Sequence, residues 1–181
     1  LDEMRSRSRM RLEGASHSAA VARACSYFSP VRAFDDMTGG IEYFHFLEKT
    51  AAAYSKDENF RKELARKLKE TAGKLFAADN LMVSYTADEE GYKALPEELK
   101  KFKAALSSGP SKRYTFEFTP ELKNEGFKTS SKVNYVARCG SFDAEAYTGA
   151  LEVLKVIMNY EYLWQNLRVI GGAYGCMSSF G

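Results

Sequence analysis

The chain has 181 residues, enough for one full domain or parts of two, and its 45% hydrophobic content supports a packed core over wholesale disorder. Its 26 basic and 24 acidic residues leave a net charge of only +2, which excludes the strong one-sided excess of a nucleic-acid-binding domain. No apolar run approaches the ~20 residues of a membrane-spanning helix, so neither nucleic acid nor a membrane is an expected partner.

The opening Leu1-Asp-Glu-Met has no initiator methionine, and the closing Ser-Ser-Phe-Gly181 has no helix end or polar tail; both ends read as cut. Three cysteines, Cys25, Cys139 and Cys176, are widely separated, odd in number and without metal-type spacing. They read as reduced thiols, which places the protein in the cytoplasm.

The first half reads as helix. Arg5-Ser-Arg-Ser-Arg9-Met-Arg11 fits a solvated helix face, or a phosphate-binding arm. A small-residue and aromatic run from Ala19 to Phe28 stops before Pro30. Thr38-Gly39-Gly40 offers a helix entry, after which Ile41, Phe44, Leu47, Ala51 and Tyr54 share one helical face. Ser55-Lys-Asp-Glu58 matches a capping box, and the helix it opens turns Phe60, Leu64, Leu68 and Leu75 inward.

Beyond Asn80 the texture changes. Leu81 to Thr86 alternates as a strand, which Ala87 to Gly91 ends. Pro96 suits the first turn of a short charged helix reaching about Leu106, and Ser107-Ser-Gly-Pro110 reads as a linker. Tyr114 to Phe118 and Lys132 to Cys139 alternate cleanly as two more strands. A long helix follows from about Tyr147 to Leu167, with Ala150, Leu151, Leu154, Ile157 and Met158 as its buried face, and Gly171-Gly172 stops it. The expected fold class is α+β: helices of one domain, then a partial α/β domain with an antiparallel sheet.

The stretch Tyr162-Leu-Trp-Gln-Asn-Leu-Arg-Val-Ile-Gly-Gly-Ala-Tyr-Gly175 resembles a segment of the inverzincin peptidases, the pitrilysin and insulinase family, and in particular their presequence-protease-like branch. The strand Lys132 to Cys139, the helix after it, the arginine and the Gly-Gly-Ala-Tyr turn occur in that family's order. The resemblance implies two halves, each of two α/β domains, closing around a peptide. The first half carries zinc on an H-x-x-E-H helix, and the second supplies an arginine and a tyrosine that hold the substrate. It assigns 1–78 to the helical end of a third domain and 79–181 to the start of a fourth, substrate-holding and truncated. Arg168, Gly171, Gly172 and Tyr174 are then the substrate-binding residues, with no catalytic residue and no metal ligand in this chain. The implied cofactor is zinc in the parent enzyme, and the implied partners are a peptide and the zinc-carrying N-terminal half.

The chemistry suits those residue types. Negative charge builds on the carbonyl oxygen as water attacks a peptide bond, and a donor aimed there stabilises the transition state more than the ground state. A tyrosine hydroxyl is such a donor, and an arginine holds carbonyls with a fixed fork of N–H groups. Arginine in a last helical turn is also favoured by the helix dipole alone, and a tyrosine after a turn is often only a half-buried sheet residue.

His45-Phe-Leu-Glu48-Lys49 nearly reproduces the zinc motif, with a cationic lysine where a second neutral histidine is needed. Glu121 and Glu125 lie downstream at the distance of a third ligand by chance, and His17 has no visible partner, so His45 reads as a surface or packing histidine. A second functional reading stays open: an interaction or scaffold module of a catalytically inactive peptidase paralogue.

Overall fold

The computed structural model describes residues 1–108, 112, 114–119 and 121–181. These form two compact units, Leu1–Arg138 and Cys139–Gly181.

The first unit is built on five consecutive helices: α1 (Asp2–Gly14), α2 (Ser16–Ser26), α3 (Pro30–Gly39), α4 (Ile41–Lys56) and α5 (Glu58–Leu75). Its boundaries follow local chemistry. The Ser29 side chain accepts the Arg32 amide, and Pro30 takes the first helical position, where its missing N–H costs nothing. Asp57 caps α5 by accepting the Asn59 and Phe60 amides at 2.8 and 3.2 Å. The cap is therefore Asp57, not Ser55. The Ser55 hydroxyl instead bonds back to the Ala51 and Ala52 carbonyls inside α4, an option serine always holds near a preceding turn.

Helix α4 is the centre of the unit, packing against α1, α3 and α5. Ile41, Leu47 and Ala51 of its expected face are buried, and Leu47 is 1% exposed. Tyr54 of the same face is exposed, as are Leu68 and Leu75 of α5. The arginines of α1 are individually partnered. Arg5 pairs with Asp2 and Arg7 with Glu3 along the helix, Arg9 with Glu48 of α4, and Arg11 donates to the Gly39 carbonyl that ends α3.

Helix α6 runs Glu89–Ala104, capped by Asp88, which accepts the Gly91 amide at 2.8 Å. It starts earlier than expected and places Pro96 in its interior, where the ring removes one intrahelical hydrogen bond. The chain then ties back to the end of α5. The Ser107 hydroxyl donates to the Gly73 and Phe76 carbonyls, and Ser107 and Ala77 form an isolated parallel bridge. Of the expected linker, Gly109 and Pro110 lie outside the described residues.

The expected α+β class with an antiparallel sheet is overturned. Apart from that bridge, the described residues contain no β-pairing; the fold is helical. Leu81–Thr86 and Tyr114–Phe118 are neither helix nor strand, and Lys132–Cys139 opens in a bend at Lys132 and Val133; none of the three carries a ladder. Alternation reports only that one face of a segment is apolar, whereas a strand also needs a neighbour for its backbone N–H and C=O groups. Within the first unit, residues of the last two segments and of the loop between them meet helices through side chains instead. Phe116 stands edge-on to Phe34 of α3 at 6.1 Å, Phe127 lies 6.2 Å from His45 of α4, and Tyr135 lies 5.9 Å from His17 of α2.

The second unit is helix α7 (Gly149–Ile157), continued without a break as a π-helix over Met158–Ile170. Thirteen residues is long for a π-helix, a form found mostly as single-turn bulges. The expected buried face is not buried. Leu154 and Ile157 are exposed, and Leu151 and Met158 half-buried, because a unit of this size offers little surface to cover a helix on.

Candidate functional site

Arg168 lies in the last turn of the π-helix, where the dipole favours a cation. Its guanidinium sits 4.1 Å from the centroid of the Trp164 ring, one turn earlier, which holds one face of the fork by a cation–π contact and leaves its N–H edge to solvent. The helix then ends in a glycine cap. The Gly172 amide donates to the Arg168 carbonyl at 3.1 Å, the Gly171 amide to the Asn166 carbonyl at 3.1 Å, and the Ala173 amide to the Leu167 carbonyl at 2.9 Å.

Each glycine is required for its own reason. Gly172 has φ +72°, the left-handed region that side chains resist. Gly171 has an ordinary φ, but a Cβ there would stand 2.7 Å from the Leu167 carbonyl oxygen, which the widened π turn brings close.

Tyr174 follows two residues after the cap. It is 93% exposed, and its hydroxyl has no hydrogen-bond partner among the described residues. Arg168 and Tyr174 thus flank one turn on one short segment, with no hydrogen bond between their side chains. Chemically, the pair offers a cationic fork and a neutral donor to an oxygen-rich ligand.

Sequence reasoning missed Asn159. Its side-chain amide donates to the Ser178 carbonyl at 3.0 Å, and its Oδ1 accepts the Ser178 amide at 2.5 Å and hydroxyl at 3.1 Å. The chain after Gly172 is thereby returned to the helix that carries Arg168. Phe142 stacks on Tyr147 and meets Phe180 edge-on, both at 6.4 Å, fixing the end of the same segment. An asparagine within a helix, where its propensity is poor, was the signal available.

His45, Glu48, Glu121 and Glu125 do not come together as ligands. His45 packs between Phe44 and Phe127, Glu48 pairs with Arg9, and Glu121 with Lys123. Glu125 is taken by Arg23, whose Nε and Nη2 reach its two oxygens at 2.8 and 3.0 Å, and by the Tyr27 hydroxyl. Among the described residues no group of three His, Cys, Asp or Glu could hold a metal ion. The described residues therefore offer no set of ligands that fits zinc.

The chain is similar to several longer proteins, some of them named presequence protease. It is 32% identical over 178 residues to Protein HypA of Clostridium perfringens, covering 95% of this chain and 18% of that protein. It is 27% identical to Presequence protease 1, chloroplastic/mitochondrial, of Arabidopsis thaliana, covering 99% of this chain and 17% of the relative. It is 28% identical to the mitochondrial Presequence protease of Yarrowia lipolytica, covering 93% and 17%. The chain thus spans under a fifth of the length of these relatives. The relatives named presequence protease agree with the peptidase resemblance of the Arg168–Tyr174 segment. No family model matches the chain, and no solved structure matches it. Among the described residues no helix is long and apolar enough to cross a membrane.

Proposed function

We propose that this chain is a non-catalytic, substrate-holding portion of a zinc-dependent metalloendopeptidase, drawn from the C-terminal half of its parent. Residues 1–78 close a third domain and 79–181 begin a fourth. Arg168 grips carbonyl groups of a bound peptide, and Tyr174 donates a hydrogen bond to the oxygen that gains charge during hydrolysis. Gly171 and Gly172 make the turn that lets both residues serve one ligand. Zinc and the water it activates belong to the N-terminal half, the chain's partner besides the peptide itself. Cysteine usage favours the cytoplasm for the parent, although two relatives carry mitochondrial or chloroplastic names.

The observation that carries this reading is the alignment, over nearly the whole chain, with proteins named presequence protease. Exposure of Arg168 and Tyr174 supports it, since a residue spent on packing would be covered. The test is peptide hydrolysis by the parent protein carrying Arg168→Ala or Tyr174→Phe. Loss of one donor of this kind lowers turnover roughly 100- to 1000-fold, and zinc content stays at the wild-type value. Wild-type cleavage by both variants sinks the site assignment. A parent without an intact H-x-x-E-H points instead to a scaffold module of an inactive paralogue.

A further inference from the structure

Tyr174 has no contact that fixes it, yet the chain on both sides of it is fixed. Before it stands the glycine cap, closed by the Gly172 and Ala173 amides on the Arg168 and Leu167 carbonyls. After it stands the clasp between Asn159 and Ser178, three hydrogen bonds of 2.5 to 3.1 Å. The clasp is unusual in kind. A side-chain amide has one donor and one acceptor in the geometry of a peptide group, and here it satisfies both backbone groups of a single residue. Ser178 is paired as though a neighbouring strand stood beside it, although the segment has no strand neighbour among the described residues.

The exposure pattern agrees. Cys176, Ser178 and Phe180 are half-buried while Met177 and Ser179 are exposed, an alternation that marks a segment laid extended on a support. Removing the clasp leaves the chain between the Ala173 amide and the Phe180 ring without a backbone tie, and with it the position of the tyrosine hydroxyl. Asn159 is half-buried and lies well before Arg168 in sequence, so it is spent on the support and not on a ligand.

We propose that Asn159 is a positioning residue for peptide binding: by holding the Ser178 backbone it fixes the stretch from Ala173 to Met177, which bends at Tyr174, and so the Tyr174 hydroxyl, against a bound extended peptide. The inference rests on the peptide-holding reading above and adds to it the residue that sets the grip.

The experiment uses the full chain and a fluorescently labelled unstructured peptide, with amide hydrogen exchange followed in parallel. Asn159→Ala is expected to speed exchange of the Ser178 amide about tenfold or more, since that amide loses its acceptor. It should weaken peptide binding by about the same factor as Tyr174→Phe, roughly fivefold for one hydrogen bond. In the Asn159→Ala background, Tyr174→Phe should then weaken binding little further, the non-additivity of two residues that act through one contact. Asn159→Asp keeps the acceptor for the Ser178 amide and should restore part of both effects. Ser178→Ala keeps both backbone bonds and should bind as wild type.

Unchanged Ser178 exchange in Asn159→Ala overturns the clasp. Faster exchange with wild-type binding, or additive losses in the double variant, reduces Asn159 to a structural residue and overturns its positioning role. Tyr174→Phe without effect in the wild-type background overturns the peptide-holding reading itself, a result distinct from the other two.

Discussion

Arg23 and Asp36 meet at 2.5 Å with their side chains only 14% and 4% exposed, joining α2 to α3 beneath the first turn of α4. Asp36 has a second task, because its other oxygen accepts the Ile41 amide at 2.9 Å and so caps α4 from the preceding helix. Glu125 closes the cluster from the loop side, and Arg23 also lies over the Tyr27 ring at 5.3 Å. The cluster therefore binds three elements with one guanidinium.

Asp36→Ala should be among the most destabilising single changes in the first unit. It strips a nearly buried cation of one partner and leaves the Ile41 amide without its acceptor. Breaking a buried pair of this kind costs about 3–5 kcal/mol, and the remaining Glu125 contact holds the loss near the lower end. Asp36→Asn keeps an acceptor for the amide and should lose less. Urea denaturation of both variants checks this; a loss under ~1 kcal/mol for Asp36→Ala would show that the cluster is peripheral to stability.

Acid should loosen the loop before it unfolds the helices. Hydrogen bonds from Arg23, opposed by burial and joined by one from Tyr27, pull the Glu125 carboxyl down from 4.5 to about 2. A carboxylate depressed in the folded state contributes stability that is complete above its unfolded pKa and is lost as pH falls from about 4.5 towards 2. Burial, followed by the bond to Glu125, pushes the Tyr27 hydroxyl up to about 12. Its contribution is complete below 10 and is lost as pH rises towards 12. Stability measured against pH should thus show a plateau between these limbs, and Glu125→Gln should flatten the acid limb while leaving the helical content unchanged. An identical acid limb in that variant contradicts the assignment.

The two glycines after Arg168 should respond differently to the same substitution. Gly172→Ala places a side chain at φ +72°, at a cost of about 1–2 kcal/mol, and Gly172→Asn should cost less because asparagine tolerates that region. Gly171→Ala meets the Leu167 carbonyl at 2.7 Å, a clash that asparagine does not relieve. Faster exchange of the Ala173 amide in both alanine variants, with rescue by asparagine only at 172, is the expected pattern. Rescue at 171 as well would mean that backbone conformation, not crowding, governs that position.

How far the sequence discloses this structure depends on where the determining contact lies. Ile41, Leu47 and Ala51 on the face of α4 and the glycine stop after Arg168 are set by residues within a turn or two and appear as the spacing implies, whereas Tyr54 of that face is exposed. The sheet did not form among the described residues, because alternation at Tyr114–Phe118 or Lys132–Cys139 cannot supply a pairing edge. The Arg23–Glu125 contact bridges 102 positions and the Asn159–Ser178 clasp 19, and neither leaves any local period. Arg168 and Tyr174 are singled out by a resemblance to a family and not by any local pattern; the contact of Arg168 with Trp164 follows from i, i+4 spacing.

That contact makes the site observable. Trp164 is the single tryptophan of the sequence, and the Arg168 guanidinium lies 4.1 Å from its ring centre. A cation over an indole changes the surroundings of the fluorophore, so anything that draws Arg168 towards a peptide carbonyl should shift tryptophan emission. Titration of the chain with an unlabelled unstructured peptide lacking tryptophan should give a saturable change. Arg168→Ala should begin at the altered emission and show no further change, while Arg168→Lys should respond weakly, because a point charge replaces a planar fork. Tyr174→Phe should retain the emission change at higher peptide concentration, since it removes a donor and not the reporter contact. Its thermal unfolding should match wild type, as the lost hydroxyl has no partner to leave unsatisfied. If peptide leaves the emission of wild type and Arg168→Ala equally unmoved, Arg168 serves the helix end alone.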